Sequence, residues 1–341
     1  MPFSGASLIS IKQKNGDDNV TIAVLGETLI DLIQGSDGRF SAVPGGAPAN
    51  VAIALRRLGT ESNFIGRISG DHFGSTLRTN LESNGVGLDH VIAAEESTSL
   101  AIATLQPDGS AEYAFYLDGT ADWQWHDDEL PTLAGGTRAL HIGSLALAIE
   151  PGATVLAAFA ECVHVEKRMT ISLDLNIRPS VGLDRTAEQE RAHRLLLLAD
   201  IIKMSTDDLE WLYPNETEGD FIGRWGSGRL IVITRGGSGS SAILDGRAPV
   251  HVRARATTVV DTVAAGDTFI AALLNQLETG DHLGTTGRLL SLDPALLRSA
   301  MEYATVAASL ACERAGAEPP YPHEIQSAIA AGDLVLRATG H

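Results

Sequence analysis

The segment that most constrains the fold is Thr257–Leu277, which reads TTVVDTVAAGDTFIAALLNQL. It passes from a β-branched run through small residues and turns at Asp267 into an apolar helix, where Phe269 and Leu273 recur at helical spacing. Small side chains let an anion approach the backbone closely, and the first N–H groups of a helix have no partner within it. The N–H groups of residues 264–267 are therefore predicted to form an anion site at the positive end of the helix dipole.

Asp267 stands among these donors, and two interpretations of it stay open. A carboxylate in this place repels phosphate, so its chemical role would be that of a general base. It would take a proton from a hydroxyl while the N–H groups hold the phosphoryl group under attack. Asp before an apolar helix is also a common N-cap, and the sequence alone does not separate the two.

The charge balance limits the partners of the chain. Its 341 residues carry 25 Lys and Arg against 43 Asp and Glu, a formal net charge of −18. Such an acidic balance argues against general nucleic-acid binding and against adsorption to an anionic membrane, so we predict no partner of either kind. An anionic ligand therefore needs a local positive site, such as helix N-termini, a metal or a few arginines.

Cysteine usage and the chain ends indicate a cytoplasmic protein. Cys162 and Cys312 lie far apart without metal-ligand spacing, which is typical of buried free thiols in a reducing compartment. No apolar run approaches the length of a membrane span, and the first residues lack the pattern of a signal peptide. We expect residues 1–18 to form a loosely ordered extension and 331–341 a tail, leaving one domain over 19–330.

Outside the opening segment, strands and helices alternate. Residues 20–25 form a continuous apolar run, typical of a strand buried on both faces of a parallel sheet. Regular alternation from residue 140 onward predicts an α/β fold with a doubly wound, mostly parallel sheet, whose ligands bind at the carboxyl ends of the strands. Two hairpins at about 28–43 and 98–118 interrupt this pattern, and we predict that they form a small β-sheet lid. The exposed edges of such a sheet favour a homodimer.

Several polar residues near predicted strand ends are site candidates, each with a structural alternative. Asp31 either faces a polyhydroxy ligand or is solvated, and Asn50 either bonds sugar hydroxyls or makes a local capping bond. Arg178 either steadies phosphate charge or joins a surface ion pair. Ser205 and Asp208 either order a water on Mg²⁺ or cap a helix. The glycine turn over 234–239 is also explained by a tight hairpin.

Two segments together resemble the paired signatures of the PfkB (ribokinase-like) carbohydrate kinases. They are GGAPANVA at 45–52 and DTVAAGDTF at 261–269, and the resemblance spans about residues 20–325. Within the family the chain is most similar to bacterial fructokinases, through FYLDGTAD at 115–122, HIGS at 141–144 and DLNIRP at 174–179. The resemblance implies a ribokinase-like fold and phosphorylation of a sugar's primary hydroxyl, D-fructose to D-fructose 6-phosphate. It also implies ATP as co-substrate and Mg²⁺ as cofactor.

The resemblance further implies a role for each position that matches a family motif. Asp267 corresponds to the catalytic base. The anion hole corresponds to Ala264, Ala265 and Gly266. The sugar-binding positions correspond to Asp31, Gly45, Gly46 and Asn50, with Arg178 at the phosphate or sugar edge. The nucleotide-binding positions correspond to Ser205, Thr234, Gly236 and Gly239, while Asp208 would act on Mg²⁺ through water. A monovalent cation, K⁺, would lie near Asp261, Val263, Ala311, Arg314 and Gly316.

The chain also departs from the family pattern. Ala264 and Asp208 replace the usual Gly and Glu, and a positive φ at residue 264 would narrow the anion hole. Pro320 stands where many relatives carry a small hydroxyl residue near the cation, which leaves potassium dependence open. Residues 215–218 read NETE, resembling the family's Asn-x-x-Glu motif, but they follow a helix and not a strand, so we assign them no role.

Two alternatives to fructose phosphorylation stay open. One is a kinase for 2-keto-3-deoxygluconate or ribose, although a sugar acid would need a cation near Asp31 and Asn50, where the sequence offers none. The other is a non-catalytic sugar-binding protein on the same fold.

Overall fold

The computed structural model describes residues 21–35, 37–105 and 111–331. The strands in these ranges are β1 (Thr21–Leu25), β2 (Leu29–Gln34), β3 (Phe40–Gly45), β4 (Glu61–Ser69), β5 (Gly87–Ala94), β6 (Leu100–Leu105), β7 (Ala111–Tyr116), β8 (Thr137–Gly143), β9 (Thr170–Asp174), β10 (Ile201–Ser205), β11 (Leu230–Thr234), β12 (Ser240–Leu244) and β13 (Val250–Val252). The α-helices are α1 (Ala47–Arg57), α2 (His72–Ser83), α3 (Gly152–Glu166), α4 (Arg185–Leu198), α5 (Thr206–Leu212), α6 (Glu218–Trp225), α7 (Ala265–Thr279), α8 (Thr286–Leu290), α9 (Pro294–Cys312) and α10 (Pro322–Ala330).

The main layer is a nine-stranded sheet in the order β13-β12-β11-β10-β9-β8-β1-β4-β5. The strands from β11 to β5 in this order pair in parallel, and β12 and β13 add an antiparallel edge next to β11. The α/β fold with a doubly wound, mostly parallel sheet is therefore confirmed. The carboxyl ends of β8, β9, β10 and β11 lie side by side at one rim, where ligands bind in such folds.

Helices cover both faces of this sheet, as the central strand β1 illustrates. Ile22 and Val24 pack into a core formed with α1, α7 and α9. Ala23 and Leu25 point the other way, into a core formed with α3, α4, α5 and α6. Since successive side chains of a strand alternate between faces, an apolar residue at every position is needed when both faces are buried.

The second sheet has four strands in the order β3-β2-β6-β7. β2 pairs with β3, and β6 with β7, as antiparallel hairpins, and a parallel pairing of β2 with β6 joins the two. The prediction of a small separate sheet built from two hairpins is confirmed. The β6–β7 connection at 106–110 lies outside the described residues.

Several boundaries differ from the sequence predictions. Helix α7 begins at Ala265 and not at Asp267, because alanine and glycine continue the helix backward by two residues. Five elements were not predicted at all, namely β5, α6, β13, α8 and α10. The two thiols are free, but Cys162 is exposed and Cys312 partly exposed, so the expectation of buried cysteines was wrong.

The predictions for the chain ends concern residues 1–18 and 331–341, which lie outside the described residues except for residue 331. Over the described ranges, no helix combines the length and apolar character needed to cross a membrane.

Candidate active site

The carboxylate of Asp267 is held by a residue far away in the sequence. Asn50 Nδ2 donates a hydrogen bond of 2.9 Å to Asp267 Oδ2, across 217 residues of chain. The two side chains are buried, with 9% of Asn50 and 7% of Asp267 exposed. Asp267 Oδ1 accepts no hydrogen bond from the described residues. The local capping bond considered for Asn50 is replaced by this long-range contact.

Asp267 does not cap its own helix. It is the third residue of α7, and the N-cap is Ala264, which has φ 58° and ψ 12° and makes no side-chain cap. Val263 N–H donates to Asp261 Oδ1, and Ala265 N–H donates to Thr262 O at 3.3 Å. Among the described residues, the N–H groups of Ala264, Gly266 and Asp267 find no acceptor, so three of the four predicted donors are open and that of Ala265 is not.

The backbone at residue 264 has the left-handed conformation that the family's usual glycine adopts freely. An alanine in this region carries a cost of about 1–2 kcal/mol because its Cβ crowds the following carbonyl. Ala264 nevertheless keeps the turn that presents the first N–H groups of α7. Alanine in place of glycine at position 264 therefore raises the energy of the backbone but leaves the turn in place.

Asp31 lies beside the glycines that precede α1. A methyl group added at Gly45 would overlap Asp31 Oδ2, so only glycine allows the carboxylate to lie there. Gly46, the N-cap of α1, has φ 102°, and an added methyl would meet the Glu27 carbonyl. The connection from β3 to α1 therefore lies next to Asp31, and α1 also carries Asn50.

Arg178 connects the two carboxylates electrostatically. Burial raises the pKa of Asp31 to about 6, and the charge of Arg178 opposes this rise. Burial also raises the pKa of Asp267, opposed by the Asn50 hydrogen bond, then by Lys203 and Arg178. The guanidinium is exposed and donates to the Ile177 carbonyl at 3.3 Å. The expectation that no cation would lie near Asp31 was wrong.

Ser205 and Asp208 form a capping box at the start of α5. Asp208 Oδ2 accepts from Ser205 N–H at 2.9 Å and from Ser205 Oγ at 2.7 Å, and Ser205 Oγ accepts from Asp208 N–H at 3.0 Å. Asp208 Oδ1 accepts from Ile177 N–H at 2.8 Å. Both oxygens of the carboxylate are engaged by the protein, so the capping interpretation describes these residues as they stand.

The glycine turn after β11 is a tight hairpin. Thr234 is the last residue of β11, and Arg235 N–H donates to Gly239 O at 2.8 Å across a short 3₁₀ turn over Gly236–Ser238. Gly236 faces open space, whereas Gly239 packs against the backbone of β13. The Arg235 side chain is committed to an ion pair with Glu218.

The NETE stretch has a structural explanation. Thr217 is the N-cap of α6, and its hydroxyl and N–H bond Asp220 Oδ2 in a second capping box. Glu218, the last residue of the stretch, forms an ion pair with Arg235. Capping and ion pairing therefore account for these side chains.

The two loops expected to hold a monovalent cation lie against each other. Asp261 Oδ2 accepts from Gly316 N–H at 2.9 Å, and the N–H groups of Val260 and Asp261 bond to the Cys312 carbonyl. Ala311 O accepts from the Arg314 N–H, and the Arg314 side chain pairs with Glu324. The structure thus brings together Asp261, Val263, Ala311 and Gly316, with the Arg314 charge directed to α10.

The sequence analysis missed a buried ion pair beside Asp267. Lys203 on β10 and Asp174 on β9 are register partners, and Lys203 Nζ lies 2.6 Å from Asp174 Oδ2. Burial raises the pKa of Asp174 to about 6, opposed by Lys203, so the pair is charged at neutral pH. Burial opposes the charged form of Lys203, but Asp174, Asp208 and Asp267 outweigh it and raise its pKa. The available signal was a lysine inside the otherwise apolar run IIKM.

His141 on β8 borders this ion pair. Its Nδ1 lies 3.1 Å from Ser172 Oγ, and burial, followed by the charge of Lys203, lowers its pKa to about 3. The imidazole is therefore neutral near pH 7 and does not add to the positive charges of Lys203 and Arg178.

In the described part of the chain, no three His, Cys, Asp or Glu side chains come together as a metal cage. Mg²⁺ is commonly held by one or two carboxylates together with water and substrate phosphates. Asp208, whose oxygens already accept protein hydrogen bonds, fits such a site only as a partner reached through water.

Comparisons with known sequences and structures show which family the chain belongs to. The chain matches the pfkB family carbohydrate kinase model over residues 20–324. It is 35% identical over 262 residues to a fructokinase of Klebsiella pneumoniae, a match covering 75% of this chain and 84% of the relative.

Two solved structures are similar over most of their length. A fructokinase from Xylella fastidiosa with bound ATP has a TM-score of 0.84 at 27% identity, covering 92% of this chain and 99% of that chain. A fructokinase from Vibrio cholerae O395 in a form with fructose, ADP and calcium ion bound has a TM-score of 0.79 at 26% identity, covering 91% and 99%.

The fold and these similarities define a carbohydrate kinase, a phosphotransferase whose acceptor is an alcohol group. The chain belongs to the pfkB family of carbohydrate kinases.

Proposed function

We propose that this protein phosphorylates D-fructose to D-fructose 6-phosphate with ATP as phosphoryl donor. The observation that carries the proposal is the Asp267 carboxylate, fixed by Asn50 at the start of a helix whose first N–H groups are open. The fructokinases among the similar proteins, one with ATP and one with fructose and ADP, support the choice of substrates.

In the proposed reaction, Asp267 Oδ1 accepts the proton of the C6 hydroxyl as the oxygen attacks the γ-phosphorus. The new O–P bond forms while the bond to the leaving ADP breaks. The N–H groups of Ala264, Gly266 and Asp267 hold the equatorial oxygens of the transferring group, in the manner of an oxyanion hole. Asn50 keeps Oδ2 occupied, which orients the other oxygen toward the sugar.

The sugar is proposed to bind between Asp31, Gly45, Gly46 and Asn50. Asp31 accepts hydrogen bonds from sugar hydroxyls, and Asn50 supplies a carbonyl oxygen in addition to the donor used by Asp267. Arg178, near both carboxylates, neutralises phosphate charge at the edge of the site. This cation is also the one feature that favours a sugar acid, 2-keto-3-deoxygluconate, as a second candidate substrate.

The nucleotide is proposed to lie along the rim near Ser205 and the turn that contains Thr234, Gly236 and Gly239. Asp208 would hold Mg²⁺ through water, and the ion would supply neutralisation of the phosphate charge. K⁺ is proposed to bind carbonyl groups where the Asp261–Val263 loop meets Ala311–Gly316. Comparing rates in potassium and sodium chloride tests the last assignment, and equal rates contradict it.

The small sheet is proposed to close over the sugar, excluding water and limiting ATP hydrolysis. Its exposed Phe40 and Tyr116 support a homodimer formed through the lid, which light scattering on the purified protein tests. The free cysteines and the need for ATP support a cytoplasmic location.

A coupled ADP-release assay with fructose, ribose, adenosine and 2-keto-3-deoxygluconate tests the proposal. We expect the highest kcat/KM with fructose, and NMR of the product should place the phosphate on C6. Faster turnover of another sugar would reassign the substrate. Sugar binding by calorimetry with no ADP formed at saturating ATP and Mg²⁺ would instead identify a non-catalytic binding protein.

A further inference from the structure

Lys203 lies directly beneath the first turn of α7. The side chain is buried, with 5% exposed, and its ammonium is anchored by Asp174 on the neighbouring strand. A methyl group added at Gly266 would come within 2.9 Å of Lys203 Nζ, so the ammonium packs against the α-carbon of the anion-hole glycine. Strand β10 thus places a positive charge next to the glycine of the predicted phosphoryl site.

The positive end of the α7 dipole and three neighbouring side chains act on the negative charge of Asp267. It is faced by Asn50 from α1, Lys203 from β10 and Arg178 from the segment after β9, and it repels Asp174 at the end of β9. Asp208 also draws on the charge of Lys203, and His141 beside it is neutral. Asn50 contributes a dipole and Arg178 is exposed. Among the described groups that favour the charged form of Asp267, Lys203 is therefore the one that is both buried and fully charged.

We propose that Lys203 is a positioning residue for phosphoryl transfer, holding Asp267 in its charged, proton-accepting form from beneath the first turn of α7. Asp174 anchors the ammonium, and glycine at 266 provides the space it occupies. This inference rests on the proposed function, since it assigns Lys203 a part in preparing the base. A buried ion pair is weak evidence for stability, because neutral residues of similar volume often replace one at no cost.

The test compares the parent with two variants of matched volume. Lys203→Met combined with Asp174→Asn removes both charges and leaves no unpaired carboxylate, whereas Asp174→Asn alone keeps the ammonium. The carboxyl titration of Asp267 is followed by ¹³C NMR on aspartate-labelled protein, with the signal assigned from Asp267→Asn. This readout requires no turnover, so it separates failure of this inference from failure of the proposed function, which the ADP assay on the parent reports.

We expect the Asp267 midpoint to rise by about one pH unit in the double variant and not to rise in Asp174→Asn. The acid limb of kcat/KM should move with it, and below the new midpoint kcat should fall by up to about tenfold with the sugar KM changed less. An unmoved midpoint in the double variant would overturn the inference.

If the double variant does not fold, Gly266→Ala provides a second test with every charge retained. Its methyl group displaces the ammonium, and the midpoint of Asp267 should again rise. A parent-like midpoint, with only the affinity for ATP changed, would show that the glycine serves the anion hole alone and would overturn the inference.

Discussion

Helices α5 and α7 both begin at the rim of the sheet with aspartate as their third residue, yet the two carboxylates have different hydrogen-bond partners. Asp208 turns back to the start of α5, where the N–H and hydroxyl of Ser205 bind it. The Asp267 carboxylate makes no hydrogen bond to the start of α7 and accepts one from Asn50 of α1 instead. The difference lies in the preceding N-cap residue, a serine in extended conformation at α5 and an alanine in left-handed conformation at α7.

A helix start is available for chemistry when no N-cap side chain occupies its first N–H groups. A serine N-cap satisfies the first donors and also occupies the carboxylate, which stabilises the protein by about 1 kcal/mol. Helix α7 has no side-chain cap and lacks this stabilisation. It retains three open N–H groups and a carboxylate with one unoccupied oxygen.

Removing the carboxylate of α7 should have the largest effect. Asp267→Asn keeps the shape and an acceptor for Asn50 but cannot accept the hydroxyl proton, so kcat should fall about a thousandfold. The measurement is steady-state ADP release. Circular dichroism and sugar calorimetry serve as controls for folding and binding. A variant within a few-fold of the parent rate would remove Asp267 from the mechanism.

Removing the distant partner of that carboxylate should have the next largest effect. Asn50→Leu deprives a buried charge of its donor, worth about 1.5–3 kcal/mol, so kcat should fall about ten- to hundredfold. Burial already raises the pKa of Asp267 and the Asn50 bond opposes it, so the acid limb of the rate profile should move to higher pH. A fall in rate with an unmoved acid limb would mean that Asn50 serves only the sugar.

Breaking the cap of α5 should have a smaller effect, and α6 offers a matched control. Asp208→Asn and Asp220→Asn each disrupt a capping box with a similar pattern of hydrogen bonds, and each should cost about 1 kcal/mol in urea unfolding. We expect only Asp208→Asn to raise the Mg²⁺ concentration required for half-maximal rate. Equal Mg²⁺ requirements in the two variants would leave Asp208 with a capping role alone.

The smallest effect is expected at the N-cap of α7. Ala264→Gly relieves the left-handed strain but loosens the unfolded chain, so the free energy of unfolding should rise by about 0.5–1 kcal/mol. Turnover should stay close to that of the parent because the N–H groups keep their positions. A loss of stability would show that the alanine methyl makes a compensating contact.

The sequence allowed prediction of those features that depend on short-range pattern. The apolar run of β1, the proline-started helix after Gly45-Gly46 and the two hairpins each carry a local signature. The start of α7 was placed two residues late because alanine and glycine carry no boundary signal of their own. Edge strands β5 and β13 have a mixed or very short pattern, which explains why they were missed.

Within the candidate site, the residues were easier to predict than their partners. Asp267 and Asn50 were each identified, but their hydrogen bond joins helices 217 residues apart, and no local pattern encodes it. The Lys203–Asp174 pair likewise depends on the register of two parallel strands. The fate of Asp208 and Asp267 was left open between capping and chemistry, because the choice depends on the backbone conformation of the residue that precedes each helix.

In the proposed mechanism, the Asp267 carboxylate makes no hydrogen bond to its own helix and can therefore take a proton from the sugar. A crystal structure with fructose and a non-hydrolysable ATP analogue tests it most directly. The account predicts the C6 hydroxyl oxygen within about 3.2 Å of Asp267 Oδ1, with the terminal phosphate on the N–H groups at the start of α7. A carboxylate turned back to cap α7, with the sugar hydroxyls held elsewhere, would contradict it.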